Sequence, residues 1–198
     1  ERATIERALL AHGRRLFAAQ GLRKTTVEEL AAAAGVSKGA FYLFFASKEE
    51  LFFTLLEQYE AQYQALLLQQ IARAELPPRA RMVALLERAL AAWRADPLFA
   101  RFGRAEYEQL LLRLPPERIS AQLAADEAFA ARFAAAWAAQ GVALAEDPPM
   151  VTALIRALFY LSLHEEEFGA LAPAVLAAHV AMLAARLVPA EGGHHDRG

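Results

Sequence analysis

The stretch from Thr25 to Leu51 carries several helix-start signals within 27 residues, so it constrains the fold more than any other part of the chain. Thr26 with Glu29 and Ser47 with Glu50 each have the Ser/Thr-x-x-Glu spacing of a capping box. In such a box the two side chains satisfy amide groups that the first helical turn leaves free. The spacing therefore predicts that one helix begins just after each Thr or Ser cap.

A glycine and a serine between these two starts predict a further short helix. Ser37 can cap a helix over residues 38–45, and Gly35 just before it can take a positive φ without a side-chain penalty. Thr25 with Glu28 offers a capping box one residue before the first one, so the first start stays open by one residue. Two short helices joined by a glycine-containing turn form a helix-turn-helix.

The predicted short helix has one face suited to a core and another that is unusual for solvent. Residues four apart share a helix face, so a small core is expected from Phe41 and Phe45 together with Val27, Leu30 and Val36. The other sides carry Lys38, Gly39, Ala40, Tyr42, Leu43 and Phe44. A phenol can bond a phosphate and an apolar side chain can pack on a thymine methyl group, so this surface favours contact with DNA.

The motifs in this stretch resemble the DNA-binding domain of the TetR family of transcriptional repressors. The matching residues are the run from Ala34 to Gly39, then Phe41, Tyr42, Phe45, Lys48 and Leu51. The resemblance covers roughly the first fifty residues. It implies that Lys38 and Gly39 approach base edges in the major groove. It also implies phosphate contacts from Thr26, Tyr42 and Lys48.

The residues expected to contact DNA include two that depart from the family pattern. Leu43 and Phe44 stand where many members carry an aromatic residue and a histidine. Arg23 and Lys24 lie beside the cap at Thr26, where two cations and a helix N-terminus could meet one phosphate, although ordinary solvated charge is the alternative. The predicted DNA-binding residues are Thr25, Thr26, Ser37, Lys38, Gly39, Ala40, Tyr42, Leu43, Phe44 and Lys48.

The composition of the 198 residues favours a helical protein without disulfides. Hydrophobic residues make up 57% and charged residues 22%, and there is no cysteine. Because no run of about eighteen uncharged apolar residues and no charged-then-apolar leader is visible, we expect a cytoplasmic protein that does not enter membranes. Residues 1–50 carry eight Lys and Arg against six Glu, a net of +2, which leaves −4 for the rest of the total of −2. This asymmetry has the sign expected for DNA binding but is small.

Helical periodicity through the rest of the chain predicts an all-α fold in two domains. The predicted helices cover residues 2–20, 48–74, 79–95, 104–114, 126–140, 148–168 and 173–188, with a further helical stretch opening at Pro115 and Pro116. Gly21 is expected to end the first helix. The predicted domains are an N-terminal three-helix DNA-binding domain (1–47), a larger C-terminal helical ligand-binding and dimerisation domain (48–188), and a disordered tail (189–198).

The helices predicted near residues 149–168 and 173–188 are apolar on more than one face, so one face of each needs a further partner. Together with their two-fold copies they would form a four-helix interface, and the resemblance also implies such a homodimer. A buried helix pair inside a monomer is the alternative.

Aromatic and polar side chains in the larger domain are candidates for binding the small-molecule effector that the resemblance implies. Ligand pockets are usually lined by aromatic residues with a few polar groups, although plain core has a similar composition. The candidates are Trp93, Phe99, Phe102, Tyr107, Gln109, Arg113, Phe133, Trp137 and Tyr160. We expect no metal or cofactor. His164 suits a core or interface position because the glutamates after it spread around a helix, and His194 with His195 lies in the predicted tail.

The sequence therefore predicts a ligand-responsive transcriptional repressor. It would bind a palindromic operator as a dimer through its helix-turn-helix and be released when a small, largely apolar molecule binds the C-terminal domain. An enzyme is not expected, because the chain has no Gly-rich phosphate loop, nucleophile elbow, zinc-protease motif or cysteine nucleophile. A DNA-binding protein that senses nothing is the other alternative, since a pocket and a solid core have the same composition.

Overall fold

The structure, a computed structural model, describes residues 1–72, 76–99 and 101–189. This described part consists of α-helices, one 3₁₀ turn and irregular connections, and it contains no β-strand. The predicted all-α fold is confirmed. The helices are Arg2–Lys24 (α1), Val27–Ala33 (α2), Lys38–Phe41 (α3), Lys48–Ile71 (α4), Pro78–Ala95 (α5), Arg104–Arg113 (α6), Pro116–Ala138 (α7), Pro148–Leu163 (α8), Glu165–Phe168 (α9) and Ala172–Leu187 (α10), with the 3₁₀ turn Gly169–Leu171 before the last one.

The chain divides into two compact units that do not follow the chain order. The first unit joins Glu1–Tyr63 with Ala92–Ser120, and the second joins Gln64–Ala91 with the chain from Ala121 onward. The boundary predicted after residue 47, between a DNA-binding and a ligand-binding domain, does not coincide with the border between these compact units. It stays a prediction. Residues 190–198 of the predicted disordered tail lie outside the described residues.

The first helix of the predicted helix-turn-helix begins at the later of its two possible caps. The backbone amide of Glu29 donates to Thr26 Oγ1 (3.2 Å), and the backbone amide of Thr26 donates to Glu29 Oε2 (2.8 Å). The earlier start is not used, because the Thr25 hydroxyl donates to the carbonyl oxygen of Gly21 (2.8 Å) and Thr25 is fully buried. Gly21 itself is non-helical (φ 82°), so the regular helix stops there as predicted, but α1 continues beyond this kink to Lys24.

The predicted starts of α3 and α4 and the predicted turn before α3 are also confirmed. The amide of Ala40 donates to Ser37 Oγ (3.1 Å) at the start of α3, and the amide of Glu50 donates to Ser47 Oγ (3.1 Å) at the start of α4. Gly35 has φ 71°, a conformation that favours glycine. The turn from α2 into α3 therefore depends on Gly35.

The helix predicted over residues 38–45 is shorter in the structure. It ends at Phe41, and the chain continues as turns. The amide of Leu43 donates to the carbonyl of Ala40 (3.1 Å), and the amide of Phe44 donates to that of Phe41 (2.9 Å). Such bonds from residue i+3 to residue i tighten the last turn of a helix, which explains the early end.

Two of the later helices differ from the prediction. The helix predicted to begin at Asp126 is part of the longer continuous helix α7, in which the Asp126 carboxylate pairs with Arg156 (3.1 Å). The helix predicted over 148–168 breaks at His164, whose amide donates to the carbonyl of Leu161 (3.1 Å) in a tight turn. The predicted end of α4 near residue 74 lies outside the described residues.

Each unit has its own apolar core. In the second unit the core contains Trp137, Met82, Val151 and Leu187, all fully buried.

Among the described residues, the stretch Glu165–Leu187 is long and apolar enough to cross a membrane by length and composition alone. The 3₁₀ turn interrupts this stretch, and core or interface helices of soluble proteins commonly have the same composition.

Candidate functional site

The residues predicted to approach DNA form an exposed surface around α3, which we call the reading surface. It consists of Ser37, Lys38, Gly39, Tyr42 and Leu43, all of which are exposed. Leu43 is 70% exposed and follows the exposed phenol of Tyr42. The reading surface therefore combines one cation, one phenol and one apolar side chain.

Buried aromatic side chains hold the reading surface in place from behind. Phe41 is fully buried and Phe45 nearly so, with their ring centroids 6.0 Å apart. The ring of Tyr42 packs edge-on against Phe41 at 5.6 Å, and Leu30 of α2 is also fully buried. The division of this segment into a core face and an outer face, predicted from the spacing, is confirmed.

Lys38 carries the positive charge of the reading surface and pairs with Glu28. Its Nζ lies 2.5 Å from Glu28 Oε1, and both side chains are more than half exposed. The hydrogen bond between them lowers the pKa of the Glu28 carboxyl and raises the pKa of the Lys38 ammonium. Exposed ion pairs are weak, so Lys38 can exchange Glu28 for another acceptor while staying charged.

Gly39 lies at the centre of the reading surface, and nothing in the surrounding protein requires a glycine there. A Cβ built at Gly39 has only Ser37 Oγ within 4 Å, at 3.9 Å, and its φ is not positive. Glycine inside a helix costs about 1 kcal/mol relative to alanine. Neither internal packing nor backbone conformation requires glycine at this position.

Two of the predicted DNA contacts lie at the start of α2, and the structure separates them. Thr25 is fully buried and uses its hydroxyl within the protein, so its side chain is not part of an exposed surface, contrary to the expectation. Thr26 is exposed, but its hydroxyl accepts from the amide of Glu29 and donates to the Glu29 carboxylate (2.9 Å). Arg23 and Lys24 beside this cap are both exposed.

Lys48, predicted to hold a phosphate, has its ammonium enclosed by backbone carbonyls. Nζ donates to the carbonyl oxygens of Leu22 (2.9 Å), Arg23 (3.1 Å) and Thr25 (2.7 Å). An ammonium has three donors, so all of them are engaged. In this arrangement Lys48 caps the end of α1 and joins it to the start of α4.

Phe44 and Ala40 are only half-buried, and the sequence did not predict what covers Phe44. The guanidinium of Arg2 lies over its ring, 5.2 Å from the centroid, and donates to the carbonyl of Leu43 (3.2 Å). Arg2 was recognised only as a charge on the first helix, because nothing in the local sequence relates it to a residue more than forty positions away.

Three of the candidate effector-binding residues lie together in an aromatic cluster of the first unit. Trp93 stacks on Phe99 with centroids 3.9 Å apart, and Phe102 stacks on Phe52 at 5.3 Å. Tyr59, which no sequence pattern marks as a candidate, belongs to the same cluster, with its ring 4.8 Å from Phe99. The Tyr59 hydroxyl oxygen is buried without a hydrogen-bond partner among the described residues, and burial, followed by the Asp96 charge, raises its pKa to about 12.

The polar candidates of the first unit differ in their surroundings. Gln109 Nε2 donates to Glu49 Oε1 (2.6 Å), and Glu49 is buried although it lies in the first turn of α4. Tyr107 is half-buried, and Arg113 is exposed. Gln109 therefore has a side-chain hydrogen-bond partner, Glu49, within the first unit.

The remaining candidates lie in the second unit. Phe133 and Trp137 are buried side by side on α7, with ring centroids 6.2 Å apart. Tyr160 on α8 is exposed. Six of the nine candidates thus belong to the first unit and three to the second.

The two helices predicted to dimerise form an open apolar groove of about 340 Å³ in the second unit. It is lined by Leu154, Ala157, Leu158 and Leu161 of α8 and by His179, Met182, Leu183 and Arg186 of α10. Met182 is 57% exposed, so a large apolar side chain at this groove faces solvent. Such a surface is typical of a contact with another protein.

A capped helix, a glycine turn and a short helix with an exposed reading surface define a helix-turn-helix protein. Residues 9–55 match the family model described as bacterial regulatory proteins of the tetR family. This N-terminal segment of the chain therefore resembles the DNA-binding domain of that family, whose members are DNA-binding transcription factors rather than enzymes.

Curated relatives match the same region. The chain is 53% identical over 45 residues to YerO, an uncharacterized HTH-type transcriptional regulator of Bacillus subtilis strain 168, and the match covers 23% of this chain and 16% of YerO. It is 44% identical over 59 residues to YuxN, another uncharacterized HTH-type regulator of that organism, covering 30% of this chain and 19% of YuxN. The chain therefore matches less than a fifth of each relative's length.

Solved structures match nearly the whole chain. A TetR-family transcriptional regulator from Pectobacterium atrosepticum is 26% identical, with a TM-score of 0.60 over 92% of this chain and 93% of that one. The SmeT–triclosan complex has the same fold, with 18% identity and a TM-score of 0.55 over 94% of this chain and 93% of that one.

Proposed function

We propose that the chain is a ligand-responsive transcriptional repressor that binds a palindromic operator as a homodimer in the cytoplasm. Gly39 is the observation that carries this proposal. A helix glycine with open space around it, at the centre of an exposed surface with Lys38 and Tyr42, suits close approach of a nucleic acid backbone or base edge. The curated relatives match this same region and are named HTH-type transcriptional regulators.

Each protomer would insert its reading surface into a major groove, with Ser37 at the start of the helix and Tyr42 and Leu43 at its end. Two such surfaces in a dimer match half-sites about 34–36 Å apart, or a multiple of that spacing. Lys38 would leave Glu28 for a base edge, and Arg23 and Lys24 would meet a phosphate at the start of α2. Thr25 and Lys48 have no direct contact in this proposal, because their polar groups are engaged inside the protein.

Replacing Gly39 with Ala is the sharpest test of DNA binding. We expect Gly39→Ala to leave the free energy of unfolding unchanged or raise it by up to about 1 kcal/mol, because alanine is the better helix former and space is available. DNA affinity should fall at least tenfold. The measurement is fluorescence anisotropy on a palindromic duplex obtained by selection from random DNA with the wild-type protein.

The outcome of that selection also tests the proposal directly. A wild-type protein that enriches no sequence, or enriches one without two-fold symmetry, contradicts a dimeric operator-binding repressor. Gly39→Ala binding with wild-type affinity would mean that the reading surface is elsewhere. Ala33→Gly is the control for an exchange of glycine and alanine outside the reading surface, because Ala33 lies at the end of α2.

We propose that the dimer forms through α8 and α10. The apolar groove between these helices, together with the exposed Met182 at its edge, supports a two-fold packing in which the same surface of each copy is buried. Arg186 is the charged residue that lines the groove together with apolar side chains and His179, and its charge is paired with Glu146. Burial of this surface would shield the most apolar helices of the second unit.

A charge introduced at the groove should separate the dimer. Met182→Glu is expected to give a monomer at micromolar concentration, because two like charges would be buried across the two-fold axis. Light scattering after gel filtration measures the mass. Leu112→Glu is the matched control, since Leu112 is an 84% exposed leucine on α6 of the first unit, and this variant should stay dimeric. A dimeric Met182→Glu, or a monomeric wild type, would rule out this interface.

We propose that a small molecule binds the helical part of the chain and releases the DNA. The SmeT complex with triclosan supports this, because a protein of the same fold binds a small molecule. A ligand changes DNA affinity only to the extent that it prefers one of two conformations. It would favour a state in which the two reading surfaces no longer have the operator spacing, with α4 acting as the lever.

The tight stacking of Trp93 on Phe99 favours a second candidate, a DNA-binding protein without an effector. Mass spectrometry of molecules released from the purified protein separates the two candidates. A stoichiometric small molecule supports the sensor. A protein that carries no molecule and whose DNA affinity no apolar compound changes supports the second candidate.

A further inference from the structure

Two buried hydrogen-bond donors lie together in the second unit, on α5 and α7. Arg81 is only 7% exposed, and Trp137 is fully buried. The guanidinium carbon of Arg81 lies 4.6 Å from the centroid of the Trp137 ring, so the cation stacks on the indole. Arginine is almost never buried unless it is paired, so this position calls for an account of its partners.

The hydrogen bonds at this site leave two donors without an acceptor. Arg81 NH1 donates to the carbonyl of Ile71 at the end of α4 (3.1 Å). Arg81 Nε and Trp137 Nε1 are buried, and neither has a hydrogen-bond partner among residues 1–72, 76–99 and 101–189. A single carbonyl satisfies one of the five guanidinium donors and does not neutralise the charge. Unpaired buried donors of this kind are uncommon and costly.

The chemistry of the missing acceptor follows from the donors. Arginine and the indole N–H only donate, so the complement must be an acceptor, and the buried positive charge favours an anion. A carboxylate has two oxygens and can accept from both groups, whereas a water molecule supplies an acceptor but no charge. The core that contains Trp137 also contains Ile71, Met82 and Phe133, which offer apolar contacts.

We propose that Arg81 and Trp137 form the head-group site for an organic acid with an apolar body, and that such an acid is the effector. The inference deepens the proposed function and rests on it for the effector role. Trp137 and Met82 are fully buried, so the acid enters only when side chains move. Met82 is suited to this because an unbranched thioether repacks easily. The movement gives the acid a preference for one conformation, which is what an effector requires.

The test compares an acid with its uncharged counterpart. Octanoate and 1-octanol have the same chain length, so a difference in their affinities, measured by isothermal titration calorimetry, reports recognition of the carboxylate. We expect octanoate to bind at least tenfold more tightly than 1-octanol. We also expect it to change the tryptophan emission of the wild-type protein, and this change should disappear in Trp137→Phe.

Three variants locate the binding. Arg81→Gln should weaken octanoate at least tenfold and leave 1-octanol unchanged. Trp137→Phe keeps an aromatic side chain but replaces the indole and its N–H with a smaller ring, so it should weaken octanoate about threefold to tenfold and leave 1-octanol nearly unchanged even if Arg81→Gln folds poorly. Arg88→Gln is the matched control, because Arg88 is an exposed arginine on the same helix that donates to Gln70 Oε1 (2.7 Å), and its octanoate affinity should stay within twofold of wild type.

The outcomes separate this inference from the proposed function. The site is overturned if octanoate and 1-octanol bind with equal affinity. It is also overturned if both Arg81→Gln and Trp137→Phe bind octanoate with wild-type affinity. Neither result affects the proposal of operator binding. Octanoate that binds at Trp137 without lowering operator affinity in anisotropy overturns the effector role of the site. Failure of the wild-type protein to bind any duplex overturns the proposed function, whether or not the acid binds.

Discussion

Phe41→Ala is expected to lower the free energy of unfolding of the first unit by about 3–5 kcal/mol and to abolish operator binding. Truncating a fully buried phenylalanine removes its burial and leaves a cavity that the surroundings fill only in part. Phe41 is fully buried and contacts the rings of both Tyr42 and Phe45. Urea denaturation followed by circular dichroism measures the stability, and anisotropy with the selected operator measures the binding.

The neighbouring residue Leu43 provides the control for this prediction. Leu43→Ala removes an apolar side chain of similar type that is 70% exposed, so its free energy of unfolding should stay within about 0.5 kcal/mol of wild type. Its DNA affinity should still fall if Leu43 packs on a base. Equal destabilisation by Phe41→Ala and Leu43→Ala would contradict the assignment of Phe41 to the core and of Leu43 to the outer face of this segment.

Lys48→Met is expected to lower the free energy of unfolding by about 2 kcal/mol and to weaken binding to all DNA sequences without changing its salt dependence. The three carbonyls of Leu22, Arg23 and Thr25 would lose a charged donor, and hydrogen bonds to charged groups contribute about 1.5–3 kcal/mol. Methionine keeps the apolar stem. The loss of binding would come from a displaced α1–α4 junction rather than from a lost phosphate contact.

The slope of log affinity against log salt concentration decides between the two roles of Lys48. A lysine that contacts a phosphate lowers the slope by about one when it is removed. Lys24→Met is the matched control, because Lys24 is exposed beside the start of α2, and it should lower the slope with little effect on stability. A lower slope with unchanged stability for Lys48→Met would restore Lys48 as a phosphate contact.

The local structure of the helix-turn-helix could be predicted because each signal acts over a few residues. A hydroxyl at Thr26, Ser37 or Ser47 reaches an amide three positions away in any helix start, and the structure has all three caps. Gly35 was predicted from the need for a positive φ, which is a property of one residue. The buried face of Phe41 and Phe45 followed from helical spacing alone.

The candidate effector residues could not be predicted in the same way, because lining a site is a property of the packed chain. Trp93, Phe99 and Trp137 are all aromatic residues with helical spacing. Only packing places the first two in one unit with Tyr59 and the third in the other unit beside Arg81. Tyr59 and Arg81 were overlooked because a buried, unpaired polar atom has no signature in the sequence.

By itself, the sequence determined the fold class and the local structure of the helix-turn-helix, since capping, turn chemistry and helical spacing are short-range effects. Tertiary structure decided which polar groups are free to meet DNA. Thr25 and Lys48 belong to the motif, yet the fold buries one and engages all three donors of the other. Their partners lie 4 to 26 positions away and are fixed only when α1 packs against the start of α4. A polar group's availability depends on which acceptors the folded chain brings within about 3 Å of it.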